Sequence, residues 1–146
     1  MIAIRLLKSE EFDALCTLLD GYKRDIEEEA LTADAKQRLS EAVESGKIRF
    51  FVACEGEQLV GMCSLCETFS TYRCRRSGIF EDFYIVPSRR RTGLARRMTR
   101  AVFEYAAQNG IDTLWVGSSP SDVKMYDSLG FDVPLGSLRC WSAGEA

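Results

Sequence analysis

The chain has 146 residues, a formal net charge of -3 and six cysteines. This length predicts a single domain over residues 1–146 that buries a core without metal or disulfide support, and the balanced charge argues against a protein built to bind nucleic acid or an anionic membrane. Cysteines without a signal sequence indicate free thiols, and no apolar run approaches the roughly 18 residues that span a bilayer, so we expect a cytoplasmic protein.

The first half of the sequence predicts a strand, two helices and a hairpin. The elements are a strand over residues 3–7, a helix from Ser9 to Gly21, a helix from Thr32 to Gly46, and strands over residues 48–54 and 58–66. Glu55-Gly56-Glu57 is the hairpin turn. Cys63 and Cys66 lie three apart on one strand and therefore on opposite faces, which favours structural thiols. We predict no metal site.

The second half alternates strands and helices. The elements are a strand over residues 80–86, a helix from Gly93 to Gln108, a strand over residues 111–116, a helix that starts at Ser119 and ends at Gly130, and strands over residues 131–133 and 138–141. Apolar residues recur at helical spacing in the long helix, and arginines occupy its other face. The pattern indicates an α/β fold with helices on both faces of a sheet.

The turn before the long helix has the features of an anion-binding site. Arg90, Gly93 and Ala95 form the pattern Arg-x-x-Gly-x-Ala. The first N–H groups of a helix have no internal partner, and the macrodipole makes this end electropositive. The small residues let a pyrophosphate approach the backbone, and Arg89 and Arg91 add positive charge. The pattern is neither a Walker loop nor a dinucleotide fingerprint.

Two motifs carry a resemblance to a known family. The Arg-x-x-Gly-x-Ala turn resembles motif A of the GNAT superfamily of N-acetyltransferases, and the segment from Val123 through Tyr126 to Gly130-Phe131 resembles motif B. Both occur in the family's order, across roughly residues 48–133. The resemblance implies a mixed, mostly antiparallel central sheet of the GNAT type with helices on both faces, and an acetyl-CoA-dependent N-acetyltransferase.

The resemblance also implies where the cofactor lies. Acetyl-CoA pairs with the backbone of the strand before motif A and places its pyrophosphate on the turn. The implied cofactor contacts are Phe83, Tyr84, Ile85, Arg90, Arg91, Thr92, Gly93, Leu94, Ala95, Arg96 and Ser119. Ser119 is a departure, because an asparagine is common at that place.

Two residues are candidates for acid–base chemistry. The chain has no histidine, which excludes Ser-His and Cys-His nucleophilic mechanisms. Tyr126 stands where the family usually places a tyrosine that protonates the leaving thiolate, and a phenol with a pKa near 10 can do so; a core aromatic is the alternative. Glu81 is the candidate base, acting through a water, and a surface carboxylate is its alternative. Strand alternation predicts that Glu81 and Asp82 face opposite sides.

A looser similarity concerns the substrate. The segments Phe69-Ser70-Thr71-Tyr72 and Phe80-Glu81-Asp82-Phe83-Tyr84 are similar to the branch that acetylates polyamines and small amines. This similarity implies a cationic amine held by acidic residues, namely Glu27, Glu28, Glu81 and Asp82. Arg73, Arg75 and Arg76 could instead hold a substrate carboxylate.

Four functions remain open from the sequence. The first is acetyl transfer from acetyl-CoA to a primary amine of a small molecule by direct attack. The second is acetylation of a protein lysine or N-terminal amine. The third is a coenzyme A-binding sensor without turnover, and the fourth, a nucleic-acid module, has only the arginine cluster in its favour, so we predict no nucleic-acid partner. Members of the family often dimerise, so a homodimer is possible.

Overall fold

The computed structural model describes residues 1–144, in which five strands and four helices follow one another in the order that the sequence predicts as far as Leu129. The strands are β1 (Ile2–Leu6), β2 (Arg49–Glu55), β3 (Gln58–Ser70), β4 (Arg75–Ile85) and β5 (Ile111–Trp115). The helices are α1 (Phe12–Asp25), α2 (Ala33–Glu44), α3 (Leu94–Gln108) and α4 (Val123–Leu129).

The strands form one mixed sheet in the order β1-β2-β3-β4-β5. The first four are antiparallel neighbours joined by hairpins or by the α1–α2 connection, and β5 runs parallel to β4 after the α3 crossover. Parallel neighbours need such a crossover connection, whereas antiparallel ones do not. The predicted α/β fold with a mostly antiparallel sheet is confirmed.

Helices cover both faces of the sheet, as predicted. On one face, α3 buries Leu94, Met98, Val102 and Ala106, one residue every turn, against a core that includes Phe80. On the other face, the leucines of α1 pack with β2 and β3. Each helix carries one apolar stripe, and the sheet between them is buried on both sides.

Helix α1 runs one turn past its predicted end. It continues through Gly21 to Asp25. A Cβ at Gly21 would lie 2.9 Å from the hydroxyl oxygen of Tyr84, so glycine here permits close packing of the helix on β4. The chain reverses at Glu27, whose φ is 60°. The extra turn brings the end of α1 next to the end of β4.

The hairpin of β3 and β4 is longer than predicted. The two strands continue past their apolar residues to Ser70 and Arg75. Polar cross-strand pairs hold this part, including Thr68 with Ser77 and Glu67 with Arg76. The prediction relied on the hydrophobic pattern, and these polar pairs lie beyond the apolar residues of the two strands.

The predicted strands over residues 131–133 and 138–141 are wrong. In the described part of the chain, β5 has β4 as its neighbour and both segments are irregular. Phe131 packs against the core, but most of the other apolar side chains of the two segments are exposed, with Val133 at 74% and Trp141 at 86%. Leu138 instead packs over Gly117, where a Cβ would lie 2.7 Å from its Cδ1.

The remaining turns agree with the sequence in outline. Pro120–Asp122 forms a single 3-10 turn before α4, and the Ser119 hydroxyl donates to Asp122 Oδ2 at 3.0 Å. Gly130 ends α4 with a φ of 115°, as predicted. Cys63 is fully buried and Cys66 half-buried, both as free thiols.

Candidate functional site

A cleft opens where β4 and β5 separate. The two strands pair from Arg76 with Ile111 to Ile79 with Trp115, and their pairing ends there. Beyond this point the two chains line opposite sides of a cavity of about 770 Å³, a volume typical of small-molecule sites. Its lining includes Tyr22, Asp25 and Ile26 from the end of α1; Glu81 to Ile85 from β4; Arg89 to Arg91 and Gly93 to Ala95 from the motif A turn; and Val116 to Ser119, Asp122, Met125 and Tyr126 from the other side.

A β-bulge bends β4 where it enters the cleft. Ser64 pairs with Glu81 but Met62 pairs with Tyr84, so β4 carries one extra residue. Asp82 takes a left-handed conformation with a φ of 55°, and its Oδ2 accepts a hydrogen bond of 2.8 Å from the buried Ser64 hydroxyl. Both Glu81 and Asp82 therefore line the cavity. The prediction that they face opposite sides is wrong, because alternation fails across a bulge.

One edge of β4 is free beyond Ile79. From Tyr84 to Ile85 the strand still pairs with β3 on one side, but its pairing with β5 has ended at Ile79. Its other edge therefore presents backbone N–H and C=O groups to the cleft, although the Ile85 carbonyl already accepts a hydrogen bond from Arg90. Phe83, Tyr84 and Ile85 line the cavity, as the sequence predicts.

The motif A turn has the geometry of an anion site. Gly93 is the N-cap of α3, with a φ of 83° and no side-chain cap. The first hydrogen bond of the helix runs from the Arg97 N–H to the Gly93 carbonyl, so the N–H groups of Leu94, Ala95 and Arg96 have no acceptor within the helix. A Cβ at Gly93 would meet no atom within 4 Å, so the space above the turn is open. A phosphate fits this arrangement.

The three consecutive arginines of the turn have different partners. Arg89 pairs with Glu55, with a 2.9 Å bond from Nε to Oε2. Arg90 donates to Asp25 Oδ2 and to the Ile85 carbonyl, each at 2.8 Å. Arg91 has no hydrogen bond or ion pair within residues 1–144, and its side chain lines the cavity. Sequence reasoning assigned all three charges to the cofactor, whereas two are neutralised by carboxylates of the chain.

Two of the predicted cofactor contacts lie outside the cleft. The Thr92 hydroxyl donates to the Arg89 carbonyl at 2.8 Å and so closes the turn. Arg96 lines a separate cavity of about 440 Å³ between α3 and α4, together with Arg100. The Arg96 backbone N–H still belongs to the first turn of α3. The side chains of Thr92 and Arg96 therefore do not line the cleft, and the predicted cofactor contacts of these two residues stay predictions.

Tyr126 is placed in the cleft by α4. Burial first, and then the nearby Asp122, raises the pKa of Tyr126 to about 12. Its ring packs edge-on against Phe131 at 5.8 Å between centroids. The phenol is therefore a protonated donor at neutral pH, held in one orientation by an aromatic neighbour.

Apart from Asp25, which pairs with Arg90, the carboxylates of the cleft lie together near Tyr22. Burial, together with the charge of Asp82, raises the pKa of Glu81 and makes it a stronger base than a surface glutamate. Burial and the nearby Asp82, Glu81 and Asp122 raise the pKa of Tyr22 as well. The cleft thus has a cationic turn at one end and acidic groups with two phenols at the other.

Two predicted substrate residues do not line the cleft. Glu27 and Glu28 are exposed in the turn after α1, whereas Asp25 and Ile26, just before them, line the cavity. Contacts of Glu27 and Glu28 with a substrate stay a prediction. Sequence reasoning missed Asp25 because it ended α1 too early. The sequence analysis also interpreted Asp122 only as part of a helix start, whereas in the structure Asp122 lines the cavity.

The arginines of the β3–β4 hairpin are remote from the cleft. They lie at the start of β4, whereas the cleft is at its end. Arg73 and Arg75 pair with Asp112, and Arg76 pairs with Glu67. The suggestion that they hold a substrate carboxylate is wrong for this site. Tyr72, in the hairpin turn, is fully exposed.

Within residues 1–144, no three or more Asp, Glu, Cys or His side chains are grouped so that they could hold a metal ion. In the same part of the chain, no helix is long and apolar enough to cross a membrane.

Comparison with known proteins decides the family. A model of the acetyltransferase (GNAT) domain matches residues 18–140, which include both motifs and the whole cleft. The chain belongs to the GNAT acetyltransferase family. It is 26% identical over 139 residues, 93% of each chain, to the uncharacterized N-acetyltransferase YhfO of Bacillus subtilis (strain 168).

Solved GNAT structures share the fold. An aminoglycoside acetyltransferase, meta-AAC0020, from an uncultured soil metagenomic sample in complex with sisomicin aligns with a TM-score of 0.85 and 13% identity over 99% of this chain and 97% of that one. An acetyltransferase of Clostridium acetobutylicum with acetyl-CoA aligns with a TM-score of 0.80 and 17% identity over 96% of both chains. At this identity the likeness concerns the fold.

Proposed function

We propose that this GNAT protein transfers an acetyl group from acetyl-CoA to a primary amine of a small, cationic molecule. One observation carries the proposal: a single cleft joins an open anion-binding turn to a group of carboxylates, along a free strand edge and beside the half-buried phenol of Tyr126. These features can position the two substrates, remove the proton of the amine and assist the leaving thiolate, and no nucleophilic side chain is required because the amine itself attacks.

The chain offers acetyl-CoA a fitting surface. Arg91 and the N–H groups of Leu94 and Ala95 would hold the pyrophosphate, because they are the cation and donors that the turn leaves free. The free edge of β4 at Phe83, Tyr84 and Ile85 would pair with the pantetheine amides. When bound, acetyl-CoA supplies the thioester whose acetyl group is transferred.

The acidic end would bind and deprotonate the amine. An ammonium ion is attracted by Glu81, Asp82 and Asp122, which line this end of the cleft. Glu81 would accept the proton, directly or through a water, because its raised pKa brings it closer to the working pH of a general base. A backbone N–H of the bulged strand would stabilise the negative charge that develops on the carbonyl oxygen.

Tyr126 would protonate the leaving thiolate. A phenol whose pKa is about 12 is fully protonated at neutral pH, and it can donate as the sulfur becomes basic. One proton would therefore pass from Tyr126 to the sulfur, and another from the amine to Glu81.

The size of the cleft and one neighbour support a small substrate. A cavity of about 770 Å³ suits the pantetheine arm and a small amine. The soil enzyme with sisomicin is an acetyltransferase of aminoglycosides, which are polyamines, and it shares this fold. That similarity supports the substrate class without selecting a compound.

A thiol-release assay tests the proposal. Acetyl-CoA is offered with a panel of polyamines, amino acids, aminoglycosides and lysine peptides, and coenzyme A binding is followed by calorimetry. We expect turnover on a small cationic amine. Replacing Tyr126 by Phe should lower kcat about a hundredfold with little change in coenzyme A affinity, as expected for the loss of a general acid.

A control variant and three opposing results complete the test. Tyr72→Phe makes the same chemical change at an exposed residue of the hairpin turn and should leave kcat unaltered. Turnover on lysine peptides alone would favour a protein acetyltransferase. Coenzyme A binding with no turnover on any amine would favour a sensor, and the absence of binding would refute the cofactor site.

A further inference from the structure

The end of α1 forms one wall of the cleft and is attached to the motif A turn through one side chain. Tyr22, Asp25 and Ile26 line the cavity from this wall. Arg90 connects the turn to it, since Arg90 Nη2 donates to Asp25 Oδ2 at 2.8 Å. The two residues are 65 positions apart in the chain, so the contact is tertiary.

Arg90 is held at three points, one on α1 and two on β4. Besides Asp25, its Nε donates to the carbonyl of Ile85, the last residue of β4, at 2.8 Å. Its guanidinium carbon also lies 5.5 Å from the centre of the Tyr84 ring, within the range of a cation–π contact. The side chain therefore joins α1, β4 and the turn.

Tyr84 completes the attachment of α1. Its hydroxyl oxygen would lie 2.9 Å from a Cβ at Gly21, so the helix backbone rests directly on this side chain. The ring also packs edge-on against Tyr22, with 6.2 Å between centroids. Arg90 and Tyr22 thus contact the same aromatic ring, which connects the two side chains.

We propose that Arg90 is a positioning residue that couples anion binding at the motif A turn to the position of the α1 wall. Binding at Gly93 and Arg91 would order the turn, and Arg90 would pass this order to Asp25 and thence to Tyr22 at the acidic end. The coupling can be measured by comparing the free protein with the coenzyme A-bound protein, without any amine. Its consequence for amine binding rests on the proposed function.

An isosteric change at Asp25 separates this role from direct phosphate binding. Asp25→Asn removes the charge that holds Arg90 and leaves Arg90 itself intact. If Arg90 binds phosphate, its release should strengthen coenzyme A binding. If Arg90 is a positioning residue, coenzyme A affinity should change by less than about twofold, since an exposed ion pair alone contributes little, and the α1 wall should loosen.

Amide hydrogen exchange reports the wall without any activity measurement. The N–H groups of Ile26, Glu27 and Glu28 donate to the carbonyls of Tyr22, Arg24 and Lys23 and close the end of α1. Coenzyme A should slow their exchange in the natural sequence, because it stabilises the closed arrangement. Asp25→Asn should speed their exchange about three- to tenfold in the free protein and remove the effect of coenzyme A.

Glu55→Gln is the matched control. It makes the same carboxylate-to-amide change in the other ion pair of this turn, the one between Arg89 and Glu55, which connects the turn to β2 and not to α1. Exchange at residues 26–28 should keep its response to coenzyme A in this variant. An equal loss of response in Glu55→Gln and Asp25→Asn would overturn the proposal, because any weakening of the turn would then suffice.

Kinetics test the consequence for the amine. Asp25→Asn should raise the KM for the amine about three- to tenfold with a smaller change in kcat. Asp25→Glu, which keeps the carboxylate, should raise this KM less than Asp25→Asn does. Unchanged exchange in Asp25→Asn refutes the coupling itself. Altered exchange with an unchanged amine KM refutes the role in amine positioning, whereas altered exchange in a protein that acetylates no amine leaves the coupling standing and refutes the proposed function.

Discussion

The arginines of the motif A turn demonstrate that identical neighbours can have different functions. Arg89 and Arg90 are neutralised by Glu55 and Asp25, which lie on other elements. Arg91, with a φ of 63°, is left to face the cleft without a partner in residues 1–144. A charge that already has a carboxylate partner attracts a ligand less strongly, so the three residues should contribute unequally to cofactor binding.

We expect Arg91→Ala to weaken coenzyme A binding about tenfold, because a charge-assisted hydrogen bond to phosphate is lost. Arg38→Ala removes the same charge from the exposed face of α2 and should have less than about a twofold effect by way of net charge. Calorimetry at two salt concentrations measures the coenzyme A affinity of both variants, and the difference in affinity between them should shrink in high salt. Equal effects of the two substitutions would remove Arg91 from the site.

The sequence predicts the turn but not the distribution of its charges. The pattern of Arg90, Gly93 and Ala95 is local and marks a helix start, which the structure confirms. The partners of the arginines lie 34 and 65 residues away, and no local pattern indicates them. In the same way, Asp25 and Ile26 could not be assigned to the cleft until the true end of α1 was known.

At the scale of elements, the bulge in β4 is the feature that shapes the site. It lies where both Glu81 and Asp82 line one cavity, just after the pairing of β4 with β5 ends at Ile79. Asp82 supports it in two ways: an aspartate tolerates the left-handed conformation better than most residues, and its carboxylate accepts the hydrogen bond of the buried Ser64. Strand alternation, on which the sequence prediction relied, contains no information about an inserted residue.

Substitutions at Asp82 should separate these two contributions. Asp82→Asn keeps both the hydrogen-bond acceptor and the tolerance for a positive φ, so we expect a change in unfolding free energy below about 0.5 kcal/mol. Asp82→Gly keeps only the conformation, and Asp82→Ala keeps neither and should cost about 2 kcal/mol. Urea denaturation measures the series.

The neighbouring residue provides the control for that series. Glu81→Ala removes an exposed carboxylate at a position where the backbone is not left-handed, so its effect on unfolding should stay below about 0.5 kcal/mol. If Asp82→Ala were no more destabilising than Glu81→Ala, the bulge would be held by the surrounding strands and not by Asp82.

At the scale of the whole molecule, the hydrophobic pattern of the sequence predicts the fold but not the cleft. Two apolar helical stripes and a sheet buried on both faces were visible in the sequence, and the order of elements is as predicted. The separation of β4 from β5 after Ile79 was not visible, because register depends on contacts between strands. Apolar residues in the tail predicted strands, but Val133 and Trp141 bury too little surface to hold one.

The pairing of β1 with α1 links the stability of the molecule to pH. Glu11, just before α1, accepts two hydrogen bonds of 2.8 Å from Arg5 of β1 and one of 2.9 Å from the Lys8 N–H. The bond to Arg5, as the main cause, lowers the pKa of Glu11 from 4.5 to about 2. Because the folded pKa is below the unfolded one, this carboxylate stabilises the fold above pH 4.5 and stops doing so as the pH falls toward 2.

We expect Glu11→Gln to lower the free energy of unfolding by about 1 kcal/mol at neutral pH, less than the full pKa shift implies because Arg5 remains a third exposed to solvent. The difference from the natural sequence should shrink steadily between about pH 5 and pH 2. Urea denaturation at pH 7, 5 and 3 measures it. Glu10→Gln, which removes an exposed neighbouring carboxylate, should have little effect at any of these values. A deficit in Glu11→Gln that persisted unchanged at low pH would mean that shape, not charge, holds β1 to the start of α1.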